Sequence, residues 1–150
     1  VSKKSLKILL LLEELRRKLT CDGSGDFELQ YLGYFECFNQ QRYYEAHDVL
    51  EELWLRIKKT RNGESLFYKG LIQLAGAFVH LQKSRLNPAA RLLRLTLKNL
   101  EPWQPQTKGL DVQELVKRIQ GWLAQLENSH YANNPYNPNC PPRIHLIRST

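Results

Sequence analysis

A chain of 150 residues has the length of one ordinary domain, and removing roughly 70% of its unfolded surface from water holds such a domain together without staples. The 42% hydrophobic and 25% charged fractions, with three Trp, seven Tyr and five Phe, exclude a disordered chain. The formal charge of +7 admits an acidic or phosphate-bearing partner, while Cys21, Cys37 and Cys140, widely spaced and with no Cys-x-x-Cys pair, argue against a disulfide framework or zinc finger.

Leu6, Leu9, Leu10, Leu12 and Leu15 give residues 1–20 helical spacing, and the cluster Asp22-Gly23-Ser24-Gly25-Asp26 ends that segment. The apolar run Ile8–Leu12 is five residues long and runs straight into Glu13, Glu14, Arg16 and Arg17. A membrane span needs about 20 apolar residues, so no membrane association is expected and the cytoplasm is the expected compartment. Phe27, Tyr31, Tyr34, Phe35 and Phe38 then predict a second helix with an aromatic face, interrupted at Asn39-Gln40-Gln41.

From Tyr43, the stripe Ala46, Val49, Leu50, Leu53, Ile57 predicts a core-facing helix to about Thr60, stopped by Asn62-Gly63. Residues 65–84 are apolar on most of the helical circumference: Leu66, Phe67, Gly70, Leu71, Leu74, Phe78 and Leu81 form one face and Tyr68, Ile72, Ala75 and Val79 a second. Such a helix is expected to be buried on most sides. Asn87-Pro88 predicts the next helix start, with Leu92, Leu93, Thr96, Leu97 and Leu100 inward and an end at Pro102-Trp103-Gln104-Pro105. Asp111 caps a closing helix, 110–128, whose inner positions are Leu115, Ile119, Trp122, Leu123 and Leu126. The Pro- and Asn-rich remainder, 129–150, is expected to be an extended tail. No useful β-alternation appears. The expected fold is therefore all-α, a compact single domain of about six helices with a motif-bearing core over 27–104.

One polar constellation stands out. On the helix from Tyr43, His47, Glu51 and Trp54 share the flank of the apolar stripe, with His47 and Glu51 at i and i+4. On the following helix, Lys69, Gln73, Gly76 and His80 occupy its one narrow arc that is not apolar. A short connection makes the two helices an antiparallel pair, so the arcs are expected to face each other across the seam. A carboxylate beside an imidazole suits a general base or a metal ligand with a supporting partner. Two His and one Glu also suit a divalent transition metal, which makes His47, Glu51 and His80 candidate ligands. Tyr44, Trp54 and Gly70 would form the pocket wall. The same cluster equally fits a satisfied hydrogen-bond network that fixes helix register. No nucleophile with a positioned base and oxyanion site is visible, so whether the chain is an enzyme stays open.

The motif Phe38-Asn39, Tyr43-Tyr44-Glu45-Ala46-His47-Asp48, Leu50-Glu51-Glu52-Leu53-Trp54, then Phe67-Tyr68-Lys69-Gly70-Leu71-Ile72-Gln73-Leu74-Ala75, resembles the family called "domain of unknown function 309" over roughly residues 35 to 103. The resemblance implies a small all-helical bundle with no established activity. The family's motif positions fall on His47, Glu51, Trp54, Gly70 and Gln73. Asp48 stands where that family usually has Glu, and Ala89-Ala90 where a Gly-Ala pair is common.

Charge is segregated: residues 21–52 carry a net −7 and residues 53–110 a net +9. Arg91, Arg94 and Lys98 share one outer helix face, a second candidate surface that would bind an acidic protein partner or nucleic acid. The leading expectation is a polar pocket of His47, Glu51 and Gln73, with Lys69 and His80 at its edge, that takes a metal or a small ligand. The basic face is the runner-up, because the acidic block contains the motif helix.

Overall fold

The computed structural model describes residues 3–19, 28–59 and 63–147. Among these residues six α-helices follow one another: α1 (Lys3–Leu19), α2 (Leu29–Asn39), α3 (Tyr43–Ile57), α4 (Glu64–Gln82), α5 (Leu86–Leu100) and α6 (Val112–Asn128). Cys21, the Asp22–Asp26 turn, Phe27, Thr60 and Asn62 lie outside the described residues.

The α4 helix is the central element, packed on both α3 and α5, with α2 against α3 and α6 against α5. Its sequence dictates that place. Phe67, Leu71, Leu74, Phe78 and Leu81 are sealed on one side and Tyr68, Ile72 and Ala75 on the next, so two neighbours are needed to cover it. Leu66, grouped with the first face by spacing, is instead exposed. Gly70 and Gly76 let α5 approach: a Cβ at Gly70 would stand 3.0 Å from Leu100 and one at Gly76 3.2 Å from Leu92.

The centre of the molecule is aromatic. Tyr31, Tyr34, Phe35 and Phe38 of α2 are buried, as are Tyr43 of α3 and Phe67 and Phe78 of α4. Phe78 meets Phe38 edge-on at 5.4 Å and Trp122 of α6 at 5.0 Å, geometries favoured by the ring quadrupole. The Tyr34 hydroxyl, wholly enclosed, donates to the Leu71 carbonyl at 2.6 Å.

Three local expectations are revised. The α5 helix begins one residue before Asn87, with Arg85 as its cap residue, so Pro88 sits inside the first turn. A first-turn N–H has no helical acceptor, and proline is tolerated there. Between α5 and α6 a two-strand hairpin appears, β1 (Gln106–Thr107) antiparallel to β2 (Leu110–Asp111). Its strands are too short to leave an alternation signal. Lys108 and Gly109 both have positive φ, 49° and 76°, the conformation that a tight hairpin turn requires. On α1, Leu12 and Leu15 point inward with Leu11, whereas Leu6, Leu9 and Leu10 point outward, so the helix has two leucine faces. Asp111 caps α6 through a 2.9 Å bond from the Glu114 N–H.

After α6 the chain crosses back over the bundle without regular structure. Ile144 is buried, and its N–H and C=O are both paired with the Asn39 side chain at 2.8 and 2.9 Å. Asn134 donates to the Leu81 carbonyl at 2.8 Å. No helix among the described residues is long and apolar enough to cross a membrane.

Candidate functional site

Helix α3 places its polar flank at a fixed angle to its core stripe. Tyr43, Ala46, Val49, Leu50 and Leu53 face the core, and at 100° per residue His47, Glu51 and Trp54 emerge beside them. The His47 side chain retains 33% exposure and Glu51 31%, while Asp48 keeps 12%. Nδ1 of His47 lies 3.1 Å from Oδ1 of Asp48 and Nε2 lies 3.8 Å from Oε2 of Glu51. The imidazole is thus bracketed by two carboxylates, with Asp48 at hydrogen-bond distance from Nδ1 and Glu51 at ion-pair distance from Nε2. Asp48 was missed as a partner by the spacing argument; as the direct neighbour of His47 its signal was adjacency rather than helical period.

Helix α4 runs antiparallel to α3, as two contacts demonstrate. The Lys69 ammonium sits 4.4 Å above the Trp54 ring at one end, and Phe78 packs 5.1 Å from Tyr43 at the other. Interpolation between them puts Gln73 between the levels of His47 and Glu51 along the pair. Lys58 also approaches Trp54, at 5.3 Å, so two cations lie near the indole.

Of the arc Lys69, Gln73, Gly76, His80, Lys69 reaches α3 through Trp54, whereas Gln73 and Gly76 turn toward α5. Gln73 accepts from the Asn99 side-chain amide of α5 at 2.8 Å, and Gly76 faces Leu92 of α5. With Lys69 on Trp54, the arc is the outward strip of α4 between its two neighbours, and all four residues are half-buried. The cause is the central position of α4, since two packed flanks leave only such a strip for polar groups. Asn99 was absent from the expected set; it was legible only as a polar residue three positions beyond Thr96 on the α5 stripe.

Two expected wall residues are placed differently. Tyr44 is exposed, with its ring 6.5 Å from the His47 ring. Gly70 is buried against Leu100 and Asn99, a point of close helix approach rather than an open wall. His80 lies two turns past Gln73, about 10 Å along α4, where burial first, then Arg85 and Lys83, holds its imidazole below its ordinary pKa of 6.5. Among the described residues, no group of three or more His, Cys, Asp or Glu side chains is placed to hold a metal ion.

Arg91, Arg94 and Lys98 are all exposed on α5. Arg94 turns toward the tail, donating to the Tyr131 hydroxyl at 2.7 Å and lying 3.9 Å from Glu127. A cavity of about 160 Å³ that sequence reasoning did not anticipate opens where the tail crosses α6, lined by Asp111, Glu114, Arg118, Arg143 and His145. It joins residues far apart in the chain, so no local pattern announces it.

The architecture defines an all-α bundle whose central helix carries one polar strip over an aromatic core. Residues 31–92 match the family model described as "Domain of unknown function (DUF309)", the family that the motif residues of α3 and α4 resemble. The matched segment runs from α2 into α5 and contains His47, Glu51, Trp54, Lys69, Gln73 and His80, whereas Arg94, Lys98 and Asn99 lie beyond it. No curated protein and no solved structure matches the chain.

Proposed function

We propose that the polar strip formed by His47, Glu51 and Trp54 of α3 with Lys69 and Gln73 of α4 binds a small polar ligand. The observation that carries this reading is the Lys69–Trp54 contact, 4.4 Å from ammonium to ring centroid. It joins the α4 arc to the α3 flank and offers a cation and an aromatic face side by side. The Gln73–Asn99 amide pair and the His47–Glu51 pair supply donors and acceptors along the same strip. His47, Glu51, Lys69 and Gln73 lie outside the apolar core, against which Trp54 packs. A ligand with an acidic group for Lys69 and hydroxyl or amino groups for Glu51 and Gln73 fits this chemistry. The reading suits a cytoplasmic setting, where such metabolites are plentiful and a thiol such as Cys37 stays reduced.

The test is two-dimensional NMR of the 15N-labelled protein with pools of amino acids, organic acids, sugar phosphates and nucleotides. The expected result is a shift of the Trp54 indole N–H and the Gln73 and Asn99 side-chain amides by at least one pool, abolished in Lys69→Ala. Shifts confined to residues around Arg118 and Arg143, or no response to any pool, would overturn the reading.

A further inference from the structure

The outward leucines of α1 have no role in the bundle. Leu6, Leu9 and Leu10 are 52%, 55% and 58% exposed, and their i, i+3, i+4 spacing gathers them into one patch. Leu55, Leu66 and Leu95, which are also exposed, stand singly on three different helices. Scattered apolar side chains need no explanation, but a clustered stripe on a helix does.

Charge identifies what would cover this stripe. Lys3, Leu6, Leu10 and Glu13 follow one another at intervals of three, four and three, the spacing of a coiled-coil seam. Lys3 and Glu13 are both exposed. If a second copy of the helix is turned end for end, Leu6 meets Leu10 and Lys3 meets Glu13, and the two-fold axis repeats both pairs. A parallel arrangement would set Lys3 against Lys3 and Glu13 against Glu13. The stripe is therefore self-complementary in one direction only, as a two-fold interface requires. An anionic lipid surface is the poorer fit, because Glu13 and Glu14 would be pressed against it. The helix is also held ready: on its inner side Leu11, Leu12 and Leu15 are buried, Lys7 bonds Glu45 of α3 at 3.3 Å, and Lys18 pairs with Glu36 of α2.

We propose that the outer face of α1 pairs antiparallel with the same face of a second copy of this chain. A helix of 17 residues is about 25 Å long, and one helix pair of that length buries less than the ~1,200 Å² of a standard stable interface. The dimer is accordingly weak and reversible.

Sedimentation equilibrium of the full chain from micromolar to near-millimolar concentration tests this. The wild type is expected to show a monomer–dimer equilibrium. Leu10→Glu should raise the dissociation constant at least ~10-fold while leaving the far-ultraviolet circular dichroism of the monomer unchanged. Lys3→Glu and Glu13→Lys should each weaken the dimer, and the double exchange should restore it. A monomer at all concentrations, a dimer indifferent to Leu10→Glu, or a charge exchange that fails to restore association would overturn the proposal. So would a monomer that co-sediments with phosphatidylserine-containing vesicles through the same leucines.

Discussion

On its inner side α4 presents Phe67, Leu71, Leu74 and Phe78, each at most 1% exposed; on its outer strip the same helix presents Lys69, Gln73, Gly76 and His80, all half-buried. The two regions share a backbone and differ in what their side chains are asked to do. The inner residues are fixed by the fit of rings from α2, α3, α6 and the tail. Of the outer ones, Lys69 touches α3 and Gln73 touches α5, each through a single contact that the fold could lose. Substitution should therefore separate stability from binding along one helix.

The largest effect belongs to the inner side. Phe78 touches Phe38, Tyr43, Trp122 and Tyr136 at centroid distances of 5.0 to 6.0 Å, so Phe78→Ala leaves a cavity where four elements meet. Its expected cost is about 3–5 kcal/mol, a large part of the stability of a domain this size. Urea unfolding followed by circular dichroism measures it. A loss below ~1 kcal/mol would mean that the aromatic centre is loosely packed and that the contrast between the two faces is false.

On the outer strip, Lys69→Ala removes a cation from the Trp54 ring and little else, so the expected loss is only ~0.5–1 kcal/mol. The same unfolding experiment checks it, and the ligand titration described above reads the binding effect separately. A loss as large as that of Phe78→Ala would make the strip a structural network, the alternative that spacing alone leaves open.

Much of this contrast was legible in the sequence because both regions are written in helical period. The stripe Ala46, Val49, Leu50, Leu53 and the two apolar faces of α4 follow from intervals of three and four, and so does the narrow arc of Lys69, Gln73 and His80. Periodicity gives the direction of a side chain from its own axis but not which neighbour lies there. That is why the arc was expected against α3, whereas Gln73 turns to Asn99 of α5. Pairings across long sequence separation were invisible for the same reason: Asn39 with Ile144, or Arg118 with the Arg143 carbonyl at 2.8 Å. On α1 the leucines outnumber what one buried face holds, and only the packed bundle reveals which three are left outside.

His80 lies at the boundary of the two faces, and its titration is the smallest and sharpest test. Its Nδ1 is buried and has no hydrogen-bond partner. A neutral ring with its proton on Nε2 leaves Nδ1 bare, at modest cost. Protonation would place an N–H donor there with no acceptor, close to Arg85 and Lys83, so the folded protein resists the charged form. The sign of the pH effect follows. Above about pH 7.5 the ring is neutral whether the chain is folded or not, and stability does not depend on it. As pH falls below that value, the unfolded chain takes up a proton that the native state refuses. Stability must then decline until pH drops below the lower folded value, where it levels. His80→Gln, which cannot titrate, should lose less stability than the wild type between about pH 7.5 and pH 5.5. Urea midpoints at the two pH values measure the difference, and an NMR titration of the His80 ring should give a midpoint below 6.5. A midpoint at or above that value would mean that Nδ1 finds an acceptor and that burial does not oppose the charged ring.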